Sequence, residues 1–201
     1  MKPTVGYKTA GFPRMITSSL LEEFNLKEQI SSVNPMMRSI SVIGGSDSDE
    51  SVLQLAEAVG EEIAKRGAAV VCGGLGGVME AACRGAKRHR GTTIGILPTD
   101  FKEHANKYVD IAVPTGMGYA RNFLVAKTGD AVIAIAGSAG TLSEMAIAWF
   151  SDKPVIALVS SGGWAERLAG TKIDERRDDV VLPALTPQDA VEKAFKALGW
   201  D

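Results

Sequence analysis

The chain has 201 residues, of which 45% are hydrophobic, and 22 Lys and Arg against 24 Asp and Glu leave a net charge of -2. That composition suits one globular domain with a substantial core, and it supplies no global electrostatic pull toward nucleic acid or an anionic membrane. Cys72 and Cys83 are too few for a secreted disulfide scaffold and lack zinc-site spacing, no apolar run approaches the roughly 20 residues of a transmembrane helix, and no signal peptide opens the chain; a cytoplasmic protein without a metal site is expected.

Residues 1–38 carry Pro3, Gly11, Pro13 and Pro35 and show no strand pattern. Within them 18–30 has helical spacing, with Ser19 as a candidate cap and Leu20, Leu21, Phe24 and Ile30 on one side. This stretch reads as an N-terminal extension to a domain spanning 39–201. From Ser39 onward short β-branched runs alternate with helical stretches. Strands are predicted over 40–43, 69–72, 92–97, 111–113, 131–135, 155–159 and 180–182, and helices over 50–66, 78–88, 118–127, 141–150 and 187–198. Such alternation is the pattern of βα units, and strands apolar throughout are those covered on both faces. The predicted fold is α/β: a Rossmann-like, doubly wound, mainly parallel sheet of about seven strands with helices on both faces.

Three glycine-rich turns fall at the carboxyl ends of predicted strands, where open α/β sheets place their ligands. They are Gly44-Gly45-Ser46-Asp47-Ser48-Asp49, Gly73-Gly74-Leu75-Gly76-Gly77 and Gly137-Ser138-Ala139-Gly140-Thr141. Without Cβ atoms the backbone can approach an anion, and the next helix offers unpaired N–H groups at its positive dipole end. Candidate binding residues are therefore Gly44, Gly45 and Ser46; Gly73, Gly74, Gly76 and Gly77, with Met79 in the helix that follows; and Gly137, Ser138, Gly140 and Thr141. Glycine in any one such turn can simply relieve crowding, but three on one rim favour a ligand. No Gly-Lys-Ser/Thr follows, so this is not a Walker A loop, and Gly74-Leu75-Gly76 lacks the third glycine of a dinucleotide fingerprint. A mononucleotide or another small phosphorylated molecule is the expected partner.

Other features read more plainly. Asp47 and Asp49 are candidate caps for the next helix, and Cys72, ending an apolar run, is a buried hydrophobe. Arg84, Lys87, Arg88, His89 and Arg90 cluster without interleaved aromatics, as a solvated helix end does, so nucleic acid is not an expected partner and DNA binding stands only as a third functional reading behind the two given below. The segment 141–150 carries Leu142, Met145, Ala146, Trp149 and Phe150, much apolar area for one helix, which points to a homo-oligomer.

Gly73-Gly74-Leu75-Gly76-Gly77-Val78-Met79 followed by Gly85-Ala86 resembles the glycine-rich loop and helix of the LOG-like proteins, phosphoribohydrolases once mislabelled lysine decarboxylases. Gly137-Ser138-Ala139-Gly140-Thr141-Leu142-Ser143-Glu144 resembles that family's Pro-Gly-Gly-x-Gly-Thr-x-x-Glu motif, and Met117-Gly118-Tyr119-Ala120-Arg121 its Met-x-x-x-Arg-Lys segment. The resemblance covers residues 40–160 and implies that Arg121 and Glu144 act on a nucleoside 5′-monophosphate, releasing free base and ribose 5-phosphate with no cofactor. Three positions depart from the pattern: Ala136 stands for proline, Ser138 for the second glycine and Asn122 for the lysine. The variant form resembles the branch with the molybdenum-cofactor carrier proteins, which implies a non-catalytic alternative, a carrier or sensor with molybdenum cofactor or a nucleotide as bound cargo.

Overall fold

The structure, a computed structural model, describes residues 37–200. The helix predicted over 18–30, and the extension as far as residue 36, lie outside them. Seven strands form one sheet: β1 Ser39–Gly44, β2 Ala69–Cys72, β3 Thr93–Leu97, β4 Ile111–Pro114, β5 Ala131–Ile135, β6 Val155–Leu158 and β7 Leu182–Ala184. Their order is β4-β3-β2-β1-β5-β6-β7 and every neighbouring pair is parallel. The helices are α1 Glu50–Lys65, α2 Val78–Arg88, α3 Asn122–Thr128, α4 Ala139–Phe150, α5 Gly163–Leu168 and α6 Pro187–Ala197.

The two-residue period of each strand sends alternate side chains into two cores. Ile40, Val42, Val70, Ile133 and Ile135 pack with Val59 and Ile63 of α1, Ala82 of α2 and Phe195 of α6. Ile43, Val71, Val132 and Ala134 face the other way, onto Val125 of α3, Met145 and Trp149 of α4 and Ala165 of α5. Burial on both sides is why these strands are apolar without alternation. On the first face α1 and α2 nearly touch: a Cβ on Gly60 would lie 1.9 Å from the Ala82 carbonyl oxygen, and one on Gly85 1.9 Å from that of Glu57. The helix propensity lost at two glycines is thus exchanged for backbone-to-backbone packing.

The structure departs from the sequence reading at several boundaries. The helix predicted over 118–127 is a 3-10 turn, Gly118–Arg121, followed by α3, because Gly118 has φ +54°, outside the α-helical region. The last strand begins at Leu182 rather than 180, since Val181 exchanges backbone hydrogen bonds with Gly170 and Thr171 before the chain enters the sheet. The α5 helix begins at the second glycine of the Gly162-Gly163 pair and was not predicted. Asp49 occupies the N-cap position of α1 but makes no side-chain cap hydrogen bond. Four of the five members of the basic cluster meet carboxylates: Arg84 and Arg88 engage Glu57, Lys87 engages Asp110 at 2.8 Å, and the His89 ring nitrogen lies 3.1 Å from a Glu61 oxygen. No helix among the described residues is long and apolar enough to cross a membrane.

Candidate functional site

The chain winds outward from β1 through β2 and β3 to β4, then crosses back to place β5 on the other side of β1. Between β1 and β5 the loops leave the sheet in opposite directions and open a crevice, the place where such sheets hold ligands. A cavity of about 680 Å³ lies there. Its walls come from the loops after β1, β2, β3 and β5, the 3-10 turn before α3, and the first turns of α2 and α4. That volume suits a small organic ligand rather than a bare ion.

Two helices point their N-termini at this region, and they differ. In α2 the first N–H, from Val78, is already taken by the Gly45 carbonyl at 3.0 Å, which locks the first glycine turn onto the second. In α4 the first intrahelical bond runs from the Leu142 N–H to the Ser138 carbonyl at 3.0 Å, and the Ser138 side chain makes no cap hydrogen bond. The preceding N–H groups, of Ala139, Gly140 and Thr141, therefore lack intrahelical acceptors, and all three residues line the cavity. An oxyanion placed there would meet fixed donors and the positive end of the helix.

Arg121 and Glu144 share one wall. Arg121 Nη1 donates to Glu144 Oε1 at 3.2 Å and to Asn122 Oδ1 at 3.0 Å, while Nη2 lies 4.0 Å from the Met79 sulfur. Gly73 admits the guanidinium: a Cβ there would sit 2.3 Å from Nη2. Arg121 is 9% and Glu144 5% exposed. Burial pushes the Glu144 carboxyl up to about 7 even though the adjacent guanidinium pulls it down. Arg121 Nε is buried and has no hydrogen-bond partner among the described residues. Arg121 and Glu144 are the only charged side chains lining the cavity among the described residues.

Of the residues singled out in the sequence, Gly44, Gly45, Ser46, Gly73, Met79, Ser138, Gly140, Thr141, Arg121 and Glu144 line this one cavity. Gly74, Gly76, Gly77 and Gly137 do not line it. Gly74 packs on Gly95 and Leu97, Gly77 on the backbone of Gly45 and Ser46, and Gly137 on Thr141, whereas Gly76 has no close neighbour. The sequence reading missed Leu75, Pro98, Gly118, Tyr119, Asn122, Ala139 and Ser143 as lining residues. Leu75, Gly118, Tyr119, Ala139 and Ser143 sit inside the quoted motifs and Asn122 directly follows one, so their position was a usable signal; Pro98, just after β3, gave none.

The loop after β5 is held in an unusual shape. Ala136 has φ +48°, its N–H donates to Ser161 Oγ at 2.7 Å, and its carbonyl accepts from the Ala165 N–H at 3.1 Å. A proline, which the motif this loop resembles carries at this place, has neither that φ nor that N–H.

The chain is similar to the cytokinin riboside 5′-monophosphate phosphoribohydrolase of Mycobacterium marinum, 33% identical over 162 residues that cover 73% of this chain and 84% of that one. Among solved structures it is similar to the molybdenum cofactor binding protein of Rippkaea orientalis, with 34% identity, a TM-score of 0.73, and coverage of 82% of this chain and 99% of that one. It is also similar to the Moco carrier protein of Chlamydomonas reinhardtii, with 32% identity, a TM-score of 0.71, and coverage of 81% and 98%. With residues 37–191 matching the family pattern, the chain belongs to the SLOG cluster4 family.

Proposed function

We propose that the cavity binds a phosphate monoester of a planar heterocycle, a nucleoside 5′-monophosphate in the first instance, and that Glu144 acts on its N-glycosidic bond. The observation that carries this reading is the uncapped N-terminus of α4 facing a cavity whose single cation among the described residues, Arg121, has a buried N–H without a partner among them. The phosphate sits on the Ala139, Gly140 and Thr141 N–H groups beside Arg121, and the heterocycle lies against Leu75, Met79, Pro98 and Tyr119. In the reaction, water oxygen attacks C1′, the C1′–N bond breaks with its electron pair going to the base, and the base takes a proton. A carboxyl poised near pH 7 is suited to transferring those protons, and its ionised form stabilises the positive charge that develops on the sugar. No cofactor enters this chemistry.

A second reading makes the protein a carrier of molybdenum cofactor, itself a phosphorylated heterocycle. It is supported by the similarity to the Rippkaea and Chlamydomonas proteins and by Asn122, which leaves the cavity one cation poorer than the lysine-containing pattern. Release of free base from AMP and related 5′-monophosphates separates the two. The hydrolase reading expects turnover that falls about 100-fold or more in Glu144→Gln with most nucleotide affinity kept. Binding without base release above the variant's background, across a panel of nucleotides, leaves the carrier reading.

We further propose a homo-oligomer that works in the cytoplasm, where two free buried thiols suit a reducing environment. Met145 and Trp149 of α4 are spent on the protein's own core, so self-association falls to Phe123 of α3 and Phe150 of α4. Their rings are 6.4 Å apart and each is more than two-fifths exposed.

A further inference from the structure

Asn122 opens α3 and is almost fully buried, and both ends of its amide are used. Oδ1 accepts from Arg121 Nη1 at 3.0 Å, while Nδ2 donates to Ser143 Oγ at 3.0 Å and reaches the Gly140 carbonyl at 3.5 Å. Chemistry fixes this orientation. A guanidinium only donates and a carbonyl only accepts, so a flipped amide would face donor with donor and acceptor with acceptor. Ser143 Oγ in turn donates to the Gly140 carbonyl at 2.6 Å. One side chain thus ties the guanidinium to the first turn of α4, the turn whose N–H groups line the cavity.

The guanidinium carries five N–H groups in a rigid plane. Both on Nη1 are consumed, one by Asn122 and one by Glu144. The Nε–H has no partner among the described residues, and Nη2 meets only the weakly accepting Met79 sulfur. Nε–H and one Nη2–H lie side by side on the opposite edge, the arrangement that grips two oxygens of a phosphate. A lysine at position 122 could not accept from Nη1, and so could not sort the guanidinium's edges in this way.

Building on the phosphate reading above, we propose that Asn122 is a positioning residue for ligand recognition: by holding Nη1 against the α4 turn, it keeps the Nε–Nη2 edge of Arg121 free of oxygen acceptors among the described residues, for the oxygens of the ligand's phosphate. Asn122 acts through Arg121, and that dependence is measurable.

The test is a double-mutant cycle on AMP and inorganic phosphate binding, measured calorimetrically in the unmodified protein, Asn122→Leu, Arg121→Ala and the double variant. Asn122→Leu weakens binding by about 10-fold, and the same change made in Arg121→Ala weakens it by less than about 2-fold, because the group being positioned is gone. Thermal melts verify folding, and Asn122→Ser, which keeps a small polar side chain, takes the place of Asn122→Leu if the latter does not fold. Equal losses in both backgrounds, or no loss in either, overturn the positioning role and leave the phosphate reading standing. If the unmodified protein binds neither AMP nor phosphate, both fall together.

Discussion

Glu144 couples the site to the stability of the whole chain. Its carboxyl takes up a proton at about 7 in the folded protein against an ordinary value of 4.5. Between those values the folded state binds more protons than the unfolded chain, so stability falls as pH rises from 4.5 to 7 and the loss stays in place above that window. The shift corresponds to a loss on the order of 3 kcal/mol. Glu144→Gln is uncharged throughout and keeps an oxygen for Arg121. Its melting temperature should match the unmodified protein's at pH 4 and exceed it at pH 8; parallel pH profiles would contradict the assignment. Ala136 makes the second prediction at this scale. Ala136→Pro installs the residue of the motif that this loop resembles, yet it cannot adopt φ +48° and it removes the N–H bonded to Ser161. A destabilisation of about 3 kcal/mol or more is expected in denaturant titrations, and an unchanged midpoint would show that the loop accommodates proline. The glycines of the site were legible because glycine at a strand end signals itself. The part played by Asn122 was not, because its partners Gly140 and Ser143 lie on another helix and only folding brings them together.

The strands were legible as elements because burial on both faces leaves continuous apolar runs, as in Ala131–Ile135, and periodicity marked α1, α2, α4 and α6. What sequence did not disclose were endings set by backbone geometry, such as the positive φ of Gly118 that delays α3. Nor did it divide the apolar residues of α4 between the core and the surface. That division decides the oligomer prediction. Light scattering at micromolar concentration should give an oligomer, most simply a two-fold dimer, for the unmodified protein and a monomer for the Phe123→Ser, Phe150→Ser double variant. A monomeric unmodified protein would reject the contact.

At the scale of the molecule, the sheet, the three glycine turns and the family match all begin after residue 36. Removal of residues 1–36 should therefore leave a chain that melts cooperatively and still binds ligand; loss of the cooperative transition would show that the extension belongs to the fold. The order of strands places β1 beside β5, the crevice between them receives the open end of α4, and on the reading proposed above that helix end and Arg121 together hold the ligand's phosphate. A calorimetric comparison of AMP with adenosine tests this most directly, since the two differ only in the phosphate. AMP should bind at least about 10-fold more tightly, with inorganic phosphate competing against it; equal affinity for the two, or binding of neither, would contradict the account.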